Sequence, residues 1–412
     1  MATILFYVIL GIIIFDFLFE RWLDYLNLSY LKPELPPELK DIYNHDKYKK
    51  SQQYLKANSR FSMMSATFSF VLIILMLTFH GFAWINEFVQ HLSANNYVRT
   101  LLFFGILGLG ADFLSLPFQL YNVFVIEEKF GFNKTGISTF ITDKIKTWFM
   151  GGIIGGGILL FLQWAQAAGG SDFWLLAFGG VGIFTIFMAM FYTSLIVPLF
   201  NKLTPLEEGE LKKSIETMAE KAGFKLADIF VMDGSKRSTK ANAYFSGLGP
   251  KKKIILYDTL IDELSTEEVV AVLAHEIGHY RNNHIYKGLA LSLIQLFIMI
   301  FLLSKALALP AFSQALGASQ MNFYMGLLAF ALLYTPVSFV LDIFMNLFSR
   351  KHEYQADAYA TSQGLGKSLI NALIRLSVSS LSNLQPHPFY RFFHYSHPTL
   401  LQRKQAIEKQ IS

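Results

Sequence analysis

The stretch STEEVVAVLAHEIGHYRNNHIYKGLALSLIQLFIMIFLLSKALALPAF, residues 265–312, carries two signals in immediate succession. Ser265 and Glu268 form a Ser-x-x-Glu pattern, in which the hydroxyl and the carboxylate each satisfy a free N–H at the start of a helix. Val269, Val270, Val272 and Leu273 make that helix apolar on the side it buries. It then carries His275-Glu276-Ile277-Gly278-His279. Residues four apart share one helical face, with Cβ atoms about 6 Å apart, so both imidazoles can reach a single ion at Zn–N distances of about 2.0–2.1 Å. Glu276 then stands beside the ion without being needed as a ligand, placed to take a proton from a water molecule. An apolar run, 285–312, follows at once and exceeds the ~20 residues a helix needs to cross a bilayer.

That run is one of seven apolar segments: 2–19, 62–89, 100–126, 148–168, 173–200, 285–312 and 321–348. Of the 412 residues, 53% are hydrophobic and only 16% charged, whereas soluble domains run nearer a quarter charged. The fold expected is therefore mainly α, a polytopic membrane protein with seven transmembrane helices. The first segment has no basic residue before it and no small-residue cleavage site after it, so it reads as a retained helix rather than a signal peptide. All Lys and Arg except Arg99, Lys287 and Lys305 fall in 20–61, 127–147, 201–284 and 349–412, which alternate with nearly empty connections. The positive-inside rule then puts the N-terminus outside and the C-terminus in the cytoplasm. Because topology accounts for the net charge of +5, no single basic patch remains for nucleic acid.

The expected organisation is transmembrane helices one to five with their loops (1–200), a cytoplasmic catalytic domain (201–284), helices six and seven (285–348), and a C-terminal part of the catalytic domain (349–412). Within the polar block, the runs 227–233, 241–248 and 253–260 are β-prone and separated by turn residues, which predicts a small sheet of three strands. There is no cysteine, so a transition-metal site must use His and carboxylate. A zinc protease needs a third protein ligand and one open position. A third His at a fixed later position is excluded: 282 is Asn, 285 is Ile, and His284 comes one residue early. The alternative is a carboxylate on a later helix. RKHEYQADAYA, 350–360, supplies Glu353 and Asp357 four residues apart, so that one can bind the metal while the other accepts the free N–H of a ligating His. His352 also lies there, but about 100° around the helix from Glu353.

HEIGH followed by EYQADAYA closely resembles the type I CAAX prenyl endopeptidases, integral-membrane zinc metalloproteases. The resemblance extends to YNVFVIEEKFGFN (121–133), FNKLTPLEEG (200–209), SKRSTKANAYF (235–245) and HYSHP (394–398), in the family's order. It implies a ring of seven long helices around a water-filled chamber, with a zincin-like catalytic domain at the cytoplasmic end. It implies one zinc ion per chain held by His275, His279 and Glu353, with Glu276 as general base and Asp357 behind the ligands. Asn242 and His397 match residues that line the cleft and hold the substrate main chain. Arg403 falls where the family has an arginine thought to meet a substrate's C-terminal carboxylate. An extended ANAYF segment can also pair with a substrate strand through its backbone, and His397, just before Pro398 and a helix start, is suited to donate to a tetrahedral oxyanion.

The resemblance implies endoproteolysis near the C-terminus of CAAX-type peptides or proteins, prenylated or not. Two other readings are a membrane quality-control protease of broad specificity and, from a different class, a transporter or receptor using Asp112 and Asp342 at membrane depth. Those two carboxylates should face water or protein, in the chamber or between helices. The glycine run GGIIGGG, 151–157, suggests tight helix packing. No C-terminal retrieval signal is evident, which favours a bacterial plasma membrane over the endoplasmic reticulum.

Overall fold

The computed structural model describes every residue except 33, 222–227 and 248–252. Among the described residues, six helical runs are long and apolar enough to cross a membrane. One of them, Ile137–Phe200, breaks at a short turn around Gly170 into the helices Ile137–Gly169 and Phe173–Leu195. Gly180 lies against the Phe161 ring, and Gly169 against Leu176, so these two helices fold back on each other as a hairpin and supply two crossings.

Several helices run past the apolar segments that announce them. The first spans Ala2–Ser29, the second begins at His45, and the last continues unbroken from Phe323 to Ser362. The segment 62–89 is not a single span. The helix His45–Thr78 stops where His80 adopts a left-handed φ of 55°, and an amphipathic helix, Gly81–Leu92, starts afresh. Pro117, which cannot donate to the helical ladder, lies five residues before a π-helical turn, Asn122–Glu127, at the end of the helix Asn96–Tyr121.

Burial is concentrated at the two ends of this assembly. One apolar cluster gathers Ile9, Leu77, Phe103, Leu162, Phe173, Leu303 and Phe323, all near one end of their helices. Between Phe330 and Glu353 no residue of the last helix is buried, and between Tyr54 and Leu77 none of the second. Helices that meet at one end and expose their middles enclose a space rather than form a solid bundle. The glycine run fits this arrangement and not the tight packing expected of it: of Gly151, Gly152, Gly155, Gly156 and Gly157, only Gly156 meets a neighbouring helix, at Leu101. Asp112 makes an interhelical contact, accepting from Lys144 Nζ at 2.6 Å and from Trp148 Nε1 at 2.8 Å. Asp342 is exposed and, among the described residues, has no hydrogen bond or ion pair.

The other end is closed by a four-stranded sheet and the helices beneath it. The three expected strands are present as β2 (Asp228–Met232), β3 (Ala243–Ser246) and β4 (Lys253–Tyr257), with Ala227 and Leu248 outside the described residues. A fourth, β1 (Leu203–Pro205), escaped the sequence reading because three residues are too few to show alternation. The order is β1-β2-β4-β3, with β2 and β4 parallel and both outer pairs antiparallel, so β3 is an edge. Ile254 and Leu256 of β4 are fully buried against Val269, Leu273 and Ile277 of the helix below. Two ion pairs fasten the segment leading into β3 to the membrane helices. Arg237 donates to both oxygens of Asp143, and Lys240 Nζ reaches Glu127 Oε2 at 2.9 Å and Tyr54 at 3.0 Å.

Candidate active site

The helix Thr266–Arg281 starts where the sequence places it, with Ser265 and Glu268 forming the reciprocal cap. Its partner is the C-terminal end of the last long helix, Phe323–Ser362, which crosses it at Gly278. A Cβ at position 278 would stand 2.9 Å from Ala356 Cα and 3.0 Å from Tyr359 Cβ, so only glycine allows this approach. That contact brings Glu353 over the two histidines. The separations are 3.2 Å between His275 Nε2 and His279 Nε2, 3.5 Å from His275 Nε2 to Glu353 Oε2, and 3.3 Å from His279 Nε2 to Glu353 Oε1. A tetrahedral ion with ligand bonds of about 2.0–2.1 Å has ligand-to-ligand edges of about 3.3–3.4 Å. These three donors therefore fit a metal ion as they stand.

Each imidazole must present a lone pair at Nε2, and its other nitrogen decides whether it does. His275 Nδ1 lies 2.9 Å from Asp357 Oδ1, so it carries the proton and donates it. Asp357 is fully buried and is gripped by Arg403, with Nε to Oδ2 at 2.9 Å and Nη2 to Oδ1 at 2.6 Å. His279 is oriented differently. Gln355 Oε1 accepts from His284 Nε2 at 2.9 Å, which leaves His284 Nδ1 as acceptor for His279 Nδ1, 3.0 Å away. His352, the alternative ligand, stacks flat on His284 with ring centroids 3.8 Å apart. Thus Asp357, Arg403, His284 and Gln355 all orient ligands from behind.

The remaining expected residues distribute around this centre. Glu276 shares the helix turn with the ligands, and burial raises its carboxyl above the usual range despite the nearby histidines. His397 is exposed, with Nε2 3.3 Å from Glu353 Oε1 and Nδ1 2.9 Å from Ser396 Oγ. Asn242 is exposed immediately before β3, and its Oδ1 accepts from Ala243 N at 2.9 Å. Arg403 packs against Asp357 and Glu353. Thr399 caps the helix Leu400–Ile411, whose first turn drives the guanidinium inward. Its Nε and Nη2 both donate to Asp357, and Nη1 stands 3.4 Å from Glu353, so its partners here are carboxylates of its own chain. His284 and Gly278 were not assigned these roles from sequence.

Residues 24–202 match the family described as CAAX prenyl protease N-terminal, five membrane helices, and residues 205–411 match peptidase family M48. The chain is 37% identical to CAAX prenyl protease 1 of Saccharomyces cerevisiae, over 97% of this chain and 94% of that protein. It is 35% identical to the CAAX prenyl protease 1 homolog of Arabidopsis thaliana over 97% and 96%, and 32% identical to the Homo sapiens homolog over 91% and 88%. The crystal structure of S. mikatae Ste24p has the same fold, with a TM-score of 0.92 at 37% identity across 98% of each chain. These relatives are eukaryotic, so the bacterial origin expected from the sequence finds no support. With both modules matched in order and the fold shared end to end, the chain belongs to peptidase family M48, as a multi-pass membrane metallopeptidase.

Proposed function

We propose that the metal is zinc and that the protein cleaves peptide bonds near the C-terminus of CAAX-type, prenylated polypeptides on the cytoplasmic side of its membrane. The observation that carries this reading is the His275–His279–Glu353 triangle, whose 3.2–3.5 Å edges suit a tetrahedral ion with one position left open. Two His and one carboxylate without cysteine is a donor set of catalytic zinc, and the similarity to proteins named CAAX prenyl protease 1 supports the substrate class. The distribution of Lys and Arg supports the orientation.

When bound, zinc would lower the pKa of water to near 7 and polarise the scissile carbonyl. Glu276 accepts the proton from the attacking water and passes it to the leaving amine, a task that its upward-shifted carboxyl suits. The substrate main chain pairs as an added strand along the open edge of β3, with Asn242 at the start of that edge. His397, exposed beside Glu353, donates to the oxyanion that develops on the substrate carbonyl. Arg403 keeps Asp357 and Glu353 in register from behind.

The test is incubation of detergent-purified protein with a farnesylated and an unfarnesylated CAAX peptide, with and without a zinc chelator. Preferential cleavage of the farnesylated peptide, abolished by chelator and restored by zinc, is expected. Equal cleavage of both peptides would reject prenyl recognition, and indifference to chelator would reject the metal.

A further inference from the structure

A cavity of about 560 Å³ opens between the helix His45–Thr78 and the end of the helix Asn96–Tyr121, and none of His275, His279 and Glu353 lines it. Phe61, Met64, Phe118 and Tyr121 make its wall apolar, and Phe61 stacks on Tyr121 with centroids 5.0 Å apart. Two cations stand at its rim, Arg60 and Lys129, and no carboxylate lines it. Both are exposed, and among the described residues neither has a hydrogen-bond or ion-pair partner, Lys129 lying 5.8 Å from the Phe130 ring. Two other cations near the π-helical turn are engaged, Lys240 with Glu127 and Lys144 with Asp112.

The position of the two charges matters as much as their sign. Arg60 precedes the apolar segment 62–89 and Lys129 follows the segment 100–126, so both stand at the same boundary between hydrocarbon and headgroups. The cavity beneath them is apolar and the aromatic rings lie at the level where membrane proteins concentrate them. An occupant must therefore carry negative charge at one end and hydrocarbon at the other. Basic pockets between transmembrane helices at this level select anionic lipid headgroups.

We propose that this cavity binds an anionic phospholipid, with its phosphate between Arg60 and Lys129 and an acyl chain along Phe61, Met64 and Phe118. The inference needs only the boundary, not its sidedness, and is independent of the peptidase substrate. The same π-helical turn carries Glu127, so the lipid sits one turn from the pair that fastens Lys240 and the segment leading into β3.

Native mass spectrometry of the full chain released from nanodiscs of phosphatidylcholine doped with phosphatidylglycerol reads the preference directly. Retained phosphatidylglycerol should exceed its share of the bilayer, and Arg60→Ala with Lys129→Ala should weaken its binding by about 25-fold, about five-fold for each cation. Arg60→Lys with Lys129→Arg should preserve it, and zinc content and peptide cleavage should remain as in the parent. Equal retention of both lipids, or an unchanged preference in the double alanine variant, overturns the proposal. Photoactivatable phosphatidylglycerol on the parent protein gives a second reading that needs no variant: labelling within 57–64 or 117–130 supports the site, and labelling only elsewhere refutes it.

Discussion

The two histidines placed to hold the metal, His275 and His279, sit four residues apart on one helix, yet each is held by different chemistry. His275 is backed by an ionised pair, Asp357 with Arg403, both buried. His279 is backed by a neutral chain, His284 and Gln355, and its own side chain is 22% exposed. In the buried half, each charge exists only because the other compensates it, so losing one leaves the other desolvated and unpaired. In the open half, water can replace a lost partner at small cost. The same task, orienting an imidazole, is therefore rigid on one side of the ion and tolerant on the other.

This contrast can be broken or sharpened by substitution. Glu276→Gln, which touches neither half, should lower kcat/KM by about 10²- to 10⁴-fold while zinc stoichiometry stays at the parent value. Loss of metal in that variant would mean that proton transfer and ligation cannot be separated here. Asp357→Ala should weaken zinc binding by 10- to 100-fold and destabilise the fold by roughly 3–5 kcal/mol, as read by chelator competition and by unfolding in detergent. His284→Ala should fall at the mild end, about ten-fold in zinc affinity with little loss of stability, and His284→Gln should recover much of it by restoring an acceptor. If His284→Ala were as damaging as Asp357→Ala, the asymmetry would be wrong. Smallest of all, Asp112→Asn should cost under about 1 kcal/mol and leave peptide cleavage unchanged, since its pairing with Lys144 is partly exposed and distant from the ligands. A large loss of activity there would revive the reading of Asp112 as a functional intramembrane group.

Much of the site was legible because it is periodic. A cap at Ser265, two imidazoles at a spacing of four and two carboxylates at a spacing of four all follow from the geometry of one helix at a time. His284 shows where such reading stops. It was set aside as a third ligand because its spacing from His279 is wrong, yet Asn283, with a left-handed φ of 57°, turns the chain so that His284 opens the next helix and faces back to His279. The Asn282-Asn283 pair was the available signal, since Asn tolerates that backbone region and Leu or Val does not. Arg403 shows a second kind of limit. Its partner Asp357 is 46 residues away, and nothing in the intervening sequence says that the two meet.

What the sequence determined alone is whatever a single segment's chemistry dictates: crossing helices from apolar length, the metal helix from its cap and spacing, and the alternation of basic loops. What only the tertiary structure decided is how segments meet. Gly278 admits Ala356 and so places Glu353, the last helix runs unbroken from membrane to metal, and the helices gather at their ends while leaving their middles unburied. The physical reason is that backbone propensity and hydropathy act over a few residues, whereas close packing and charge compensation depend on atoms that the chain brings together only once it is folded.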